Sequence, residues 1–149
     1  MNTTKEETQK PFDQMTEHEL LQVVEWHAQA MQHSGIISED TLAEHRRLAQ
    51  KDAEAFGERW GRGDLDRYNN LQYLRNFAFR MAILRKKHLI HLFNAPDWYT
   101  KVKVRRTDNF TLEPDDKMYD DFEAVRSECN DRIGRMIFKD SPLMQQPYL

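Results

Sequence analysis

The chain has 149 residues, with 5 Gly, 5 Pro, a single Cys and 32% charged residues, the composition of one helix-rich domain long enough to bury its own core. The lone Cys129 excludes an intramolecular disulfide and points to a reducing compartment. The richest apolar stretch, Phe77 to Leu84, is interrupted by Arg80 and falls well short of the roughly 20 residues of a membrane span, and the polar start, Met1-Asn2-Thr3-Thr4-Lys5, does not read as a signal peptide. These features lead to the expectation of a cytoplasmic protein, or a virion component if the chain is viral, with no membrane partner.

The net charge of −3 conceals a strong segregation. Residues 1–66 carry 7 Lys/Arg against 14 Asp/Glu, residues 67–106 carry 10 against the single Asp97, and residues 107–149 carry 5 against 10. A basic middle between acidic ends either meets an anionic partner or is met by the chain's own flanks.

Residues 1–12 read as a polar arm ending at Pro11-Phe12, residues 13–138 as one helical domain, and residues 139–149 as a tail. The first helix begins at Thr16. Glu19 follows three residues later, the pattern in which each side chain satisfies the other residue's free amide. Leu20, Val24, His27 and Met31 then share one face, and Ser34-Gly35 ends the helix. Ser38 caps a second helix with Glu39 and Asp40 in its first turn, where the dipole favours anions. Its inner face is Leu42, His45, Ala49, Phe56 and Trp60, and Gly61 and Gly63 stop it.

A third helix runs from about Asp64 to Phe93, with Asn69-Asn70 as its weak point. Leu71, Leu74, Ala78, Met81 and His88 form one stripe. Tyr73, Phe77 and Leu84, with Phe79, Ile83 and Ile90, widen it around the helix, the pattern of a central element with several neighbours. If Arg80 is buried in that stretch it needs a carboxylate, for which Glu25 or Glu128 could serve; otherwise its stem lies along the surface with the head in water. Asn94-Ala95-Pro96 breaks the helix. Lys101 to Val104 alternates in the manner of a strand, Thr107-Asp108-Asn109 is turn-like, and Phe110 to Leu112 is the return strand of a small hairpin or extended insertion near 98–112. Pro114-Asp115-Asp116 opens a fourth helix, whose face Met118, Phe122, Val125, Cys129, Ile133 and Met136 is the cleanest amphipathic pattern in the chain. The expected fold is mainly α: an antiparallel bundle of about four helices with that small insertion.

Chemistry is sparse. No His has Glu three residues before it and there is no His-Glu-x-x-His. His88 and His91 stand one turn apart, but beside Arg85, Lys86 and Lys87, which repel a cation, so no metal and no cofactor is expected. Glu128-x-x-Asp131 resembles half of the acidic set with which all-helical nucleotide pyrophosphohydrolases hold Mg²⁺. A second cluster would have to come from Glu54 and Glu58, which leaves such a hydrolase as the third reading. Cys129 lies on an apolar stripe, where a thiol is a small hydrophobe rather than a nucleophile. No nucleophile elbow or phosphate-binding glycine loop is present.

The strongest signal is the basic block. Arg85, Lys86 and Lys87 lie near the end of the third helix. Lys101, Lys103, Arg105 and Arg106 follow on the extended segment, with Trp98 and Tyr99 just before them. Interleaved cations and aromatics suit phosphate contact with base stacking, yet cations near a helix C-terminus are favoured by the dipole alone, and Asp115, Asp116, Asp120, Asp121 and Glu123 follow closely enough to neutralise the arm. The leading expectation is therefore a non-enzymatic interaction or assembly protein, such as an adaptor, a virion component or an inhibitor of a host machine. Its partner would be another protein, a large assembly or a second copy of itself. Nucleic-acid binding through residues 85–106 is the alternative.

Overall fold

The computed structural model describes the backbone of residues 9–60 and 65–138 and, outside 56–66, their side chains. Four long helices and one short hairpin make up the domain: α1 (Glu17–His33), α2 (Glu39–Trp60), α3 (Leu65–Phe93), β1 (Val104–Arg106), β2 (Leu112–Pro114) and α4 (Lys117–Phe138). Single 3₁₀ turns at Phe12–Gln14 and Trp98–Thr100 precede α1 and the hairpin. The expected glycine stop after α2 and the tail from residue 139 lie outside the described residues, as does most of the N-terminal arm. No described helix is long and apolar enough to cross a membrane.

The boundaries follow from the local chemistry. Thr16 and Glu19 form the reciprocal cap, with the Glu19 amide donating to Thr16 Oγ1 at 3.1 Å and the Thr16 amide donating to Glu19 Oε1 at 3.1 Å. At the other end of α1, Gly35 takes φ +80°, a conformation that costs glycine nothing, and the Ile36 amide turns back to the Met31 carbonyl at 2.9 Å. Ser38 Oγ accepts from the Thr41 amide at 3.0 Å and starts α2. Asp116 does the same for α4, accepting from the Tyr119 amide at 2.8 Å.

α3 runs through Asn69-Asn70 without a break over 29 residues, about 44 Å at about 1.5 Å per residue. It is central, packed against α1, α2 and α4. One continuous core joins Leu20, Val24 and Met31 of α1, Leu42 and Ala49 of α2, Leu71, Phe77 and Met81 of α3, and Phe122, Val125 and Cys129 of α4. The inward arc of α4 is wider than its apolar stripe, because Asp121, Glu128 and Arg132 are buried as well. Each is paired: Asp121 with His27 of α1 at 2.8 Å, and Arg132 with Glu128 at 2.7 Å. Arg132 also donates to the Met15 and Phe12 carbonyls at 2.5 and 3.3 Å, so one guanidinium fastens the turn before α1 onto α4.

One alternative is decided and two expectations are corrected. Arg80 is not fully buried; it pairs with the exposed Asp52 of α2 at 3.0 Å, while Glu25 is held by Arg46 and Glu128 by Arg132. The strands lie two to three residues later than the alternation suggests. Lys101 closes the 3₁₀ turn instead, since the Lys101 and Val102 amides both donate to the Trp98 carbonyl at 2.9 Å, and β1 begins only at Val104. The pairs are Val104 with Pro114, Arg105 with Glu113 and Arg106 with Leu112, antiparallel. Finally, the stripe Phe79, Ile83 and Ile90 is not core at all; it faces outward.

Replacing Thr16 by Ala is expected to cost about 1 kcal/mol, the usual worth of such a cap, read as a lower thermal midpoint by far-UV circular dichroism with the helical signal otherwise unchanged. An unshifted midpoint would mean that the Arg132 contacts alone hold the start of α1.

Candidate interaction surface

The basic block divides into charges the fold consumes and charges it leaves. Arg85 meets Asp116 through two parallel bonds of 2.9 and 2.8 Å. Arg105 is shared among Glu113 at 2.7 Å, Asp120 at 2.8 and 3.0 Å, and Asp115 at 3.8 Å. The hydrogen bonds it donates to Asp120 and then Glu113 push its already high pKa further up. Lys101 pairs with Asp97 at 3.4 Å. Lys86, Lys87, Lys103 and Arg106 are exposed, and none makes an ion pair or side-chain hydrogen bond among the described residues. The acidic start of α4 thus accounts for both arginines that anchor the hairpin region and leaves four cations to solvent. The aromatics divide in the same way. Trp98 packs on Phe93 with ring centroids 5.3 Å apart, capping the end of α3, whereas Tyr99 is exposed.

Asp116 is the pivot of this arrangement. Burial alone would raise its pKa, but the Arg85 hydrogen bonds and the Tyr119 amide outweigh that and hold the carboxyl below its ordinary value. By joining the end of α3 to the start of α4, it sets the hairpin over the last turns of α3. Between them lies an open groove of about 380 Å³. Leu89, Ile90 and Phe93 of α3 form one wall with Lys86 at its edge; Leu112 and Pro114 of β2, with Tyr119 of α4, form the other. Arg105 and Glu113 also line it, but they neutralise one another.

The groove continues an apolar stripe along α3. Phe79, Ile83, Lys86 and Ile90 succeed one another at spacings of four, three and four, one face of a helix. That face is opposite the buried Leu74, Ala78 and Met81, and it is flanked by α2, to which Arg80 and Asn76 reach, and by α4, to which Arg75 reaches. Phe79 and Ile90 are 48% and 50% exposed, and Leu112 across the groove is 62% exposed. Scattered exposed apolar residues are ordinary; these succeed one another along one helix face, with Lys86 between them, and lead into the groove.

The hairpin tip adds an oddity. The Phe110 amide donates to the Thr107 carbonyl at 3.0 Å, and the Thr107 amide to the Thr111 carbonyl at 2.8 Å, a tight turn. Phe110 follows it at φ 62°, the left-handed position that glycine or asparagine normally fills. A bulky side chain there costs about 1–2 kcal/mol, and the ring is 80% exposed, so no burial offsets the strain.

The other candidates lead elsewhere. No group of three His, Cys, Asp or Glu among the described residues is placed to hold a metal ion. Burial, followed by Arg85 and His91, lowers the pKa of His88. Burial pushes the Cys129 thiol up to about 12, the value of an inert core thiol. Glu128 is engaged by Arg132 and Arg135.

Of the predicted site residues, the structure groups Lys86 and Arg105 at the groove, ties Arg85 into the bridge to Asp116 and Lys101 into a local pair with Asp97, and places Trp98 against α3. Ile90, Phe110 and Leu112 were not among them. Their signal was present in the sequence, as apolar residues set beside Lys86 and Lys87 and as a Phe directly after Asp108-Asn109, but periodicity alone does not separate a second apolar stripe from core. No protein-family model matches the chain, and comparison with curated proteins and with solved structures found no match.

Asp116→Asn keeps a cap acceptor but loses the ion pair, and is expected to destabilise the domain by about 1–2 kcal/mol at neutral pH. Because the folded carboxyl titrates below its ordinary 3.8, its stabilisation is complete above that value and disappears as pH falls through the lower folded one. Urea denaturation at descending pH should show the wild-type advantage over Asp116→Asn closing only below about pH 4; an advantage already gone at pH 5 would contradict it.

Proposed function

We propose that this chain is a non-enzymatic interaction protein that binds another protein through the outer face of α3 and the groove beneath the hairpin. The observation that carries the reading is the row Phe79, Ile83, Ile90 and Leu112, apolar and exposed on a domain whose core is otherwise continuous. The row runs between two flanking helices and ends in a groove, the geometry that receives an extended or helical segment of a partner. Such a role suits an adaptor, a component of an assembly, or an inhibitor of a larger machine.

Ile83→Glu with Ile90→Glu is expected to leave the thermal midpoint nearly unchanged, since exposed substitutions usually shift stability by less than about 0.5 kcal/mol. Tagged wild type and the double variant, cross-linked in native cells, should then differ by loss of a specific captured protein from the variant. Identical capture profiles would overturn the reading.

A second reading rests on the uncompensated Lys86, Lys87, Lys103 and Arg106, with Tyr99 exposed nearby. Phosphate contact through these side chains would give salt-dependent binding of DNA or RNA. In a gel-shift titration, alanine at those four positions should abolish any shift while Lys101→Ala, which removes a locally paired charge, should leave it. A shift that survives the four substitutions rejects this reading.

A further inference from the structure

We infer that the outer face of α3 docks against the same face of a second copy of this chain, with the two α3 helices antiparallel about a two-fold axis; this rests on the interaction reading above and names its partner. The first observation is spacing. Phe79, Ile83, Lys86, Ile90 and Phe93 succeed one another at four, three, four and three residues, the repeat with which one helix seats its side chains between those of another. Phe79, Ile83 and Ile90 are exposed. The occupant that such a row fits is a helix.

The second is the balance of charge on both sides of the row. On the α4 side, Tyr119 lines the groove, and Arg126 lines a hollow with Phe79 and Asn76. Between them Glu123 accepts from Arg126 at 2.7 Å and from the Tyr119 hydroxyl at 3.4 Å, which sets this acid–base pair about level with Ile83. On the α2 side, Arg80 reaches Asp52 at 3.0 Å, and its charge also acts on Glu44, which pairs with Arg47. At the groove end Arg105 is enclosed by Glu113, Asp115 and Asp120. Lys86 and Lys87 are the unpaired exceptions. Each rim therefore carries both signs, which favours neither a strongly acidic nor a strongly basic segment. A rim that carries both signs in order is complementary to its own reverse, and a two-fold axis supplies that reverse.

The third is direction. Rotation about an axis lying across α3 lays each flanking helix over its own copy, running the opposite way. An acid and a base three residues apart on α4 then meet a base and an acid: Glu123 faces Arg126 of the second copy, and Arg126 faces its Glu123. Glu44 and Arg47 on α2 have the same order and spacing. Lys86 selects the same direction. A parallel pair would set the two Lys86 ammonium groups against one another, whereas an antiparallel pair lays each lysine stem along Ile83 of the other copy and turns its head to the rim. The row is about 21 Å long at about 1.5 Å per residue, and with a helix of about 10 Å diameter on either side the face offers about 600 Å² per copy, the lower end of specific interfaces. A reversible dimer of micromolar strength is expected.

The test is sedimentation equilibrium of the full chain from about 1 to about 200 µM, which should show a monomer–dimer equilibrium in the micromolar range. Ile83→Glu should abolish it and leave the far-UV circular dichroism unchanged. Glu123→Arg alone and Arg126→Glu alone should each weaken self-association by about tenfold or more, because each sets like charges against one another twice. An equimolar mixture of these two variants should restore a dimer of wild-type strength, because every facing pair in the mixed dimer is again one acid and one base. A chain that stays monomeric throughout overturns the inference; the cross-linking comparison of wild type with Ile83→Glu/Ile90→Glu then decides the interaction reading separately. A dimer that Ile83→Glu leaves intact forms through another surface and overturns the inference. So does a dimer indifferent to both charge variants, or one that each weakens and their mixture fails to restore.

Discussion

A single carboxylate joins the parts of this molecule that matter for recognition. Asp116 accepts two bonds from Arg85 at the far end of α3 and one from the Tyr119 amide at the start of α4. Each bond has a local rationale, as an ion pair and as a helix cap, but their combination fixes a distance. The end of α3 and the start of α4 are held together, and the chain between them must close into a short insertion. That insertion becomes a hairpin with only three residues per strand, too small to be stable by itself. It survives because Arg105 ties it to Asp120 in the first turn of α4, and because Trp98 seats its entrance on Phe93. The groove is the space left over when those constraints are met.

The same economy explains why arginine and lysine part company in the basic block. The two residues that bridge elements, Arg85 and Arg105, are both arginines, whose planar fork can satisfy a carboxylate with two parallel bonds or serve several acids at once. The charges left unpaired are mostly lysines, for which a fixed geometry is neither needed nor favoured. The acidic–basic–acidic pattern of the sequence is thus two superimposed patterns. One is internal bracing between the basic middle and the acidic start of α4. The other is a smaller residue of exposed cations around an apolar face.

Much of the fold was legible residue by residue. The reciprocal cap at Thr16 and Glu19, the left-handed Gly35, the Ser38 cap and the stripe of α4 are all local signals, decided within a turn or two of the helix. Where the sequence misled, the deciding contact was distant. The alternation at Lys101 to Val104 is strand-like by itself, but Trp98 packs on Phe93 and its carbonyl takes the Lys101 and Val102 amides, which makes a turn there first. Arg80 has nothing nearby to show which helix will supply its acid. Phe79, Ile83 and Ile90 look like core by spacing, and only the placement of α2 and α4 on either side of them shows that none of the described helices covers them. The pairing of His27 with Asp121, across 94 residues, left no trace that periodicity could find.

An exposed apolar row and a strained aromatic are both departures from what stability alone would favour. Buried Asp121, Glu128 and Arg132 all have partners, as an unpaired buried charge would cost several kcal/mol. Core packing does not account for Ile90 and Leu112 facing solvent across an open groove, nor for a phenylalanine where the backbone calls for glycine. Local disagreements with an otherwise consistent fold concentrate where selection acts on something other than the fold. Here Ile90 and Leu112 line one groove together with the unpaired Lys86, so exposed apolar residues and an uncommitted charge share a surface.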